Sequence, residues 1–280
     1  MSTDELLAQI DELYALASEE RPDEARRVFG QFLEALEAGQ LRAAEPTDEG
    51  WRVNPSVKRG ILLGFGLGDN REIPGFEPFQ YSDRDTYPPQ DLPLAERNIR
   101  IVPGGSAVRR GAYVGNDVTV MPPAYINVGG YVDDETMVDS HALVGSCAQI
   151  GKRVHLSAGA QICGDLDPVG QRQVIVEDDA LVGGNTGIYE GVRVGEGAVI
   201  AAGCVVTGST PVYDLVEETV HRSGDDEPLE IPPRAVVIPG SRPASGDFAA
   251  EHDLQLSALV IVKYRDEQTD AQTALEDALR

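Results

Sequence analysis

The spacing of apolar positions along the chain changes character twice. In residues 1–40 they recur at three- and four-residue intervals. Leu6, Ile10, Leu13 and Ala17 share one face, and Ala25, Val28, Phe29, Phe32, Leu33 and Leu36 form another. This spacing predicts two amphipathic helices, with Pro22 in a first turn and Gly39 as a stop. Residues 41–106 are mixed. In "WRVNPSVKRGILLGFGLGDN" the apolar run Ile61–Leu63 leads into alternating glycines at 64, 66 and 68, which reads as a strand and turn. The run lacks both the G-K-[ST] ending and the G-x-G-x-x-G spacing of phosphate loops. Residues 74–93, rich in proline, aromatics and acids, read as a long surface loop.

From residue 108 the period becomes six. Val108, Val114, Val120, Ile126, Val132, Val138, Val144, Ile150, Leu156 and Ile162 follow without a miss, and the period resumes at Val176, Val182, Ile188, Val194, Ile200 and Val206. Two positions before many of these aliphatics the residue is small, as at Ala112, Ala124, Gly130, Ala142, Ala148 and Ala160. The interval from 162 to 176 is fourteen, two more than two repeats, and "CGDLDPVGQRQ" has the composition of a loop-out near 163–173. Six matches neither the 3.6 of a helix nor the 2 of a strand. It is the signature of a β-helix, in which short strands and turns stack so that one aliphatic per unit points into a prism. The expected fold is mainly β: a left-handed parallel β-helix over 107–212, with an N-terminal, mainly helical α/β domain (1–106) and a small C-terminal extension (213–280). Within the extension, 213–230 reads as a hairpin or lid and 256–264 as a strand. Residues 269–280 read as a helix capped by Thr269 or Asp270.

Composition narrows the function classes. The net charge of −24 opposes a general nucleic-acid or lipid-surface role, since both reward basic patches. No apolar run reaches the length of a membrane span, and the acidic N-terminus lacks a signal-peptide pattern, so a cytoplasmic protein is expected. Only three of the 23 basic residues are lysines, a balance that fits either a salt-adapted host or an acidic protein from a GC-rich genome. Cys147, Cys163 and Cys204 have neither disulfide nor metal-site spacing and read as packing residues.

A β-helix does not dictate chemistry. It serves CoA-dependent acyltransferases, metal-dependent hydration enzymes and inert binding solenoids. The metal reading needs histidines that stack, yet His141 and His155 are fourteen residues apart, not a multiple of six. The extra segments at both ends and the loop-out favour a site over a non-catalytic solenoid. CoA is a polyanion, so Arg109, Arg110, Lys152, Arg153 and Arg193 are candidates for its groove, or else they balance surface charge. Backbone amides at Gly183, Gly184 and Gly203 are candidates for bonding pantetheine.

The stretch "VRRGAYVGNDVTVMPPAYINVGGYVDDETMVDSHALVGSCAQIGKRVHLSAGAQICGDLDP" resembles the tetrahydrodipicolinate N-succinyltransferase family, as do "AAEPTDEGWRVNPSVKRGILLGF", "IRIVPGGSAVRRGA", "GSTPVYD" and "LVIVKYRDEQTDAQT". The resemblance spans roughly residues 40–270. It implies a homotrimer with active sites between subunits, succinyl-CoA as co-substrate and no metal or prosthetic group. Succinyl transfer to tetrahydrodipicolinate would give N-succinyl-2-amino-6-oxopimelate and CoA, in lysine and diaminopimelate synthesis. N-acetylation of the same substrate is the close alternative. On this resemblance the family's substrate-contacting Asp falls on Asp139 and its substrate-binding Arg on Arg100. A carboxylate can take the proton from an attacking nitrogen, and a guanidinium matches a carboxylate in a bidentate way. The family's second acid aligns with Gly187. Glu190 is the acid that remains nearby, and with Asp139 it is the expected catalytic pair. His141 stands where the family has Trp. His155 is a further candidate base, because related acyltransferases use His.

Overall fold

The structure is a computed structural model describing residues 2–48, 50–73, 80–224, 227–266, and 271, 273 and 275. The period of six folds into a prism of three parallel sheets. The first face stacks Val114, Val132, Ile150, Val176, Val194 and Ile231. The second stacks Val120, Val138, Leu156, Val182, Ile200 and Val237. The third stacks Val108, Ile126, Val144, Ile162, Ile188 and Val206. The chain runs from first to second to third face and climbs one coil. Most rungs are two residues long, so one side chain points in and its neighbour out. The inward aliphatics form one continuous buried core.

The turns follow a rule of their own. The third residue after an aliphatic has positive φ at Asp117, Glu135, His141, Cys147, Arg153, Asp179 and Asn185, and at Gly129, Gly159, Gly197 and Gly203. A side chain there costs about 1–2 kcal/mol, which stacking of the coils must override. Successive coils bond directly, as in Asp139 N–H to the Leu156 carbonyl at 2.9 Å.

Register corrects the reading of the loop-out. Val132 pairs with Ile150, eighteen residues on, whereas Ile150 pairs with Val176 and Ile162 with Ile188, both twenty-six on. The interval of fourteen is therefore a single six-residue step lengthened by eight residues, not two repeats plus two. A pattern read only at multiples of six cannot tell these apart. The stack also begins at Arg100–Ile101, which pairs with Thr119–Val120, and continues past Val206 to Ile231 and Val237.

In the C-terminal extension, Val212–Asp214 and Thr219–His221 form an antiparallel hairpin, and Val212–Asp214 also pairs with Leu259–Ile261. The long strands Ala235–Pro243 and Gln255–Tyr264 continue the second face. Asp214 ties the hairpin down: its buried carboxylate accepts the Val216 and Glu217 amides and the Tyr264 hydroxyl, the last at 2.5 Å. Burial opposes ionisation of Asp214, but these bonds outweigh it and hold its pKa below the ordinary carboxylate value. Residues 271, 273 and 275 are helical; the expected caps Thr269 and Asp270 lie outside the described residues.

The N-terminal region has three helices: α1 (Thr3–Ala15), α2 (Ala25–Glu37) and α3 (Pro55–Leu67). Ser2 and Glu5 form a capping box on α1. Pro22 precedes α2, with its carbonyl accepting the Ala25 amide, rather than lying in the first turn. Gly39 follows α2 in the left-handed region. Helix α3 replaces the strand and turn expected at Ile61–Leu63. Pro55 opens it. Its glycines are contact points: a Cβ on Gly60 would lie 2.5 Å from Phe32 Cζ, and one on Gly64 2.2 Å from Phe29 Cζ. Part of the expected 74–93 loop is also a strand, since Tyr81–Arg84 pairs with Asn70–Ile73; residues 74–79 lie outside the described residues.

This helical unit sits on the prism. Its core includes Val128 and Cys147 from the corner between the third and first faces. Buried Lys58 on α3 donates to the Gln171 carbonyl of the loop-out. Arg42 lies 3.6 Å over the Tyr131 ring, which stacks on Tyr113, and Trp51 donates to Glu177.

Candidate active site

The prism's three corners differ in what lines them. The corner from third to first face, at 127–130 and 145–148, is covered by the helical unit, and the loop-out leaves from it one coil higher. The corner from first to second face is charged. Along it Arg153 pairs with Asp179 at 2.7 Å and Lys152 approaches Asp134 at 3.7 Å. The corner from second to third face, at 139–142, 157–160, 183–186 and 201–204, is lined mainly by small residues: Ser157, Ala158, Gly159, Gly183, Gly184, Ala201, Ala202 and Gly203. Asp139 stands at its lower part.

Asp139 is fixed by the coil. Its backbone bonds Leu156 and Ala142, and its Oδ1 accepts the Ser140 amide at 2.6 Å. Its side chain is 30 % exposed, and Oδ2 makes no hydrogen bond among the described residues. The aspartate therefore does bond a turn amide, as a corner Asp commonly does, and keeps one oxygen over for chemistry. Arg100 lies on the same side of the prism, in register with Thr119, and its guanidinium reaches Met121 Sδ at 3.6 Å. Met121 lies one coil below Asp139 on the same ladder. Arg100 is exposed. A cation and a carboxylate thus share one face, separated along the prism axis. His141, on the corner itself, is exposed and left-handed. His155 sits one coil above Met137, its Nε2 3.9 Å from Asp139 Oδ2.

Gly183, Gly184 and Gly203 lie on the Asp139 corner, two and three coils above it. Two of their amides are used within the stack: the Gly183 amide bonds the Ile200 carbonyl, and the Gly203 amide bonds the Gly184 carbonyl. A Cβ on Gly183 would fall 2.4 Å from the Ala202 amide nitrogen. Cys204 is buried on this corner, and burial pushes its thiol up to about 12. It packs as a small apolar group, as Cys147 does on another corner.

Other expected residues stand elsewhere. Glu190 follows Ile188 at the corner from third to first face, where its Oε2 accepts the Gly208 amide at 2.9 Å. It lines a cavity of about 330 Å³ with Arg172, Ser223 and Glu227. Within the chain it is not brought to Asp139. Lys152 and Arg153 lie on the charged corner. Arg109, Arg110 and Arg193 pair with Asp83, Glu37 and Glu230 at 2.6, 2.9 and 2.7 Å. Gly187 is on the third face beside Tyr189: a Cβ there would lie 2.4 Å from Tyr189 Cε2 and 2.5 Å from its hydroxyl. Sequence reasoning missed this ring and the run of small residues at Ser157, Ala158 and Ala202. The second was visible once the register of twenty-six was known.

Comparison with known proteins identifies the lineage. A family model described as the N-terminal part of tetrahydrodipicolinate N-succinyltransferase matches residues 5–67, and one described as the hexapeptide repeat of succinyl-transferase matches 173–208. The 2,3,4,5-tetrahydropyridine-2,6-dicarboxylate N-succinyltransferase of Acinetobacter baylyi is 40% identical over 261 residues, covering 92% of this chain and 91% of its own length. The chain belongs to the tetrahydrodipicolinate N-succinyltransferase family. A second family member, from Polynucleobacter asymbioticus, is 40% identical over 272 residues, covering 95% of this chain and 93% of its own. Among solved structures, one described as a 2,3,4,5-tetrahydropyridine-2-carboxylate N-succinyltransferase from Campylobacter jejuni aligns with a TM-score of 0.54 at 16% identity. It covers 91% of this chain, which spans 64% of that longer one, and at such identity the likeness concerns the fold alone. Family membership makes the protein an acyltransferase of the CoA-dependent class.

Proposed function

We propose that this protein transfers the succinyl group of succinyl-CoA to tetrahydrodipicolinate, giving N-succinyl-2-amino-6-oxopimelate and CoA in lysine and diaminopimelate synthesis. The observation that carries this is the 40% identity to enzymes of that name along nearly the whole of both chains. The open flank with Asp139 and Arg100 supports it. Arg100 would hold a substrate carboxylate in bidentate fashion. The cyclic imine is hydrated, and its nitrogen attacks the thioester carbonyl. A carbon–nitrogen bond forms, CoA leaves as thiolate, and Asp139 Oδ2 accepts the proton from nitrogen; the ring carbon–nitrogen bond then breaks, the carbinol oxygen becoming the ketone and its proton passing to the amide nitrogen. The smooth corner above Asp139, with Gly183, Gly184 and Gly203, would receive the pantetheine arm. Glu190, held by the Gly208 amide, lies on a different corner from Asp139, so the two acids could meet only across a subunit boundary.

A flank open on one chain becomes a groove when a second surface faces it. A cytoplasmic homotrimer, with its sites between subunits, belongs to the same proposal. The test is to offer purified protein tetrahydrodipicolinate with either succinyl-CoA or acetyl-CoA and to follow thiol release. The expected preference is for succinyl-CoA. Preference for acetyl-CoA would move the protein to the acetylating branch, and turnover with neither donor would remove the enzyme reading.

A further inference from the structure

His155 carries an unused nitrogen beside Asp139. In the outward ladder of the second face it lies between Met137 below and Leu181 above, so both ladder neighbours are apolar. Its side chain is 43 % exposed, yet Nε2 itself is shielded from solvent and has no hydrogen-bond partner among the described residues. A polar atom buried without a partner costs about 1–3 kcal/mol, a cost that a purely structural histidine would avoid by turning its ring. What Nε2 faces is Asp139 Oδ2, at 3.9 Å. The other oxygen, Oδ1, is occupied by the Ser140 amide. The second oxygen of the aspartate and the unpartnered nitrogen of the histidine are therefore neighbours, about 1 Å beyond hydrogen-bond length.

We propose that His155 is the residue behind Asp139 that takes up the proton leaving the substrate nitrogen. It rests on the assignment of Asp139 as the group that meets that nitrogen. The nitrogen–hydrogen bond of the substrate breaks as the nitrogen–carbon bond to the succinyl group forms, and the proton passes to Asp139 Oδ2. The oxygen–hydrogen bond then breaks as neutral His155 takes the proton on Nε2, which restores the carboxylate. The imidazolium loses its proton to water at the exposed part of the ring, and the departing CoA thiolate takes one from water. His155 acts through Asp139 and touches no substrate; it is a positioning and relay residue.

The test uses His155→Gln, which keeps the size and polarity of the side chain without its basicity, and compares kcat with KM for both substrates. The expected result is a fall in kcat of about tenfold or more, within what a lost acid–base step removes, with both KM values nearly unchanged. Added imidazole should restore turnover to His155→Ala in a saturable way. In an Asp139→Asn background, His155→Gln should cost nothing further. A slow Asp139→Asn beside a His155→Gln of wild-type kcat would overturn the relay and leave Asp139 in place. A fully active Asp139→Asn would remove Asp139 itself and the relay with it.

Discussion

Two glycine-to-alanine substitutions in the helical unit should change stability in opposite directions. Gly64 on α3 is buried against two rings. An added Cβ would lie 2.2 Å from Phe29 Cζ and 2.4 Å from the Tyr87 hydroxyl oxygen. Phe29 and Tyr87 are 2% and 1% exposed, so neither ring has room to retreat. Tyr87 also donates to the Ile61 carbonyl at 2.6 Å, and moving its hydroxyl breaks that bond. Overpacking of this kind costs about 1–3 kcal/mol, and the disturbed buried bond adds about 1 kcal/mol. Alanine's better helix propensity returns about 1 kcal/mol. The net expectation for Gly64→Ala is a loss of about 2 kcal/mol. Gly30, within α2, has no atom within 4 Å of an added Cβ and an ordinary helical φ. Gly30→Ala should therefore gain about 0.5–1 kcal/mol, through the unfolded chain and helix propensity. Urea unfolding of the three proteins by circular dichroism measures both numbers, provided their m values agree. A Gly64→Ala protein as stable as the wild type would refute the packing assigned to α3, and a Gly30→Ala protein equally destabilised would refute the open surroundings assigned to Gly30 on α2.

Two further outcomes follow from the structure. Burial lowers the pKa of Lys58, so between that value and about 10.4 the unfolded chain binds more protons than the folded one. Stability contributed through Lys58 therefore rises with pH in that window, and the stability of wild type relative to Lys58→Met should increase as the pH is raised toward the ordinary lysine value; a constant difference would place the ammonium in a wetter site. Ala158 is exposed on the small-residue corner, and Ala158→Trp should raise KM for the acyl-CoA by about tenfold, equivalent to about 1.4 kcal/mol of lost binding, with little change in KM for the acceptor; an unchanged acyl-CoA KM would move the cofactor to another corner.

The prism was legible in the sequence because its inner aliphatics obey one short period, and every coil repeats the same demand. Asp139 was legible by resemblance, through the specific residues around Val138, and not by periodicity. What was lost is what depends on contacts between distant segments. The glycines of α3 mimic strand alternation unless Phe29 and Phe32 are known to press against them. The loop-out is ambiguous until register shows twenty-six residues between Ile150 and Val176. The expected cationic groove is not assembled within one chain. Arg109 and Arg110 follow the third face, Lys152 and Arg153 follow the first, and Arg193 lies on the first face itself, so within one chain they do not gather on a single corner, and each has an acid beside it. Glu190 is near Gly187 in sequence yet on a different corner from Asp139.

The central claim is that Asp139, held on a rigid coil with one oxygen free, meets the nitrogen that attacks the thioester. The most direct measurement is thiol release from succinyl-CoA by wild type and Asp139→Asn, with and without tetrahydrodipicolinate. The coil around Val138 keeps its backbone bonds in the variant, so melting temperatures should agree closely. Release by the wild type should require the acceptor, and Asp139→Asn should be slower by about 100-fold or more, the range of a lost general base. Wild-type turnover in a folded Asp139→Asn would contradict the account.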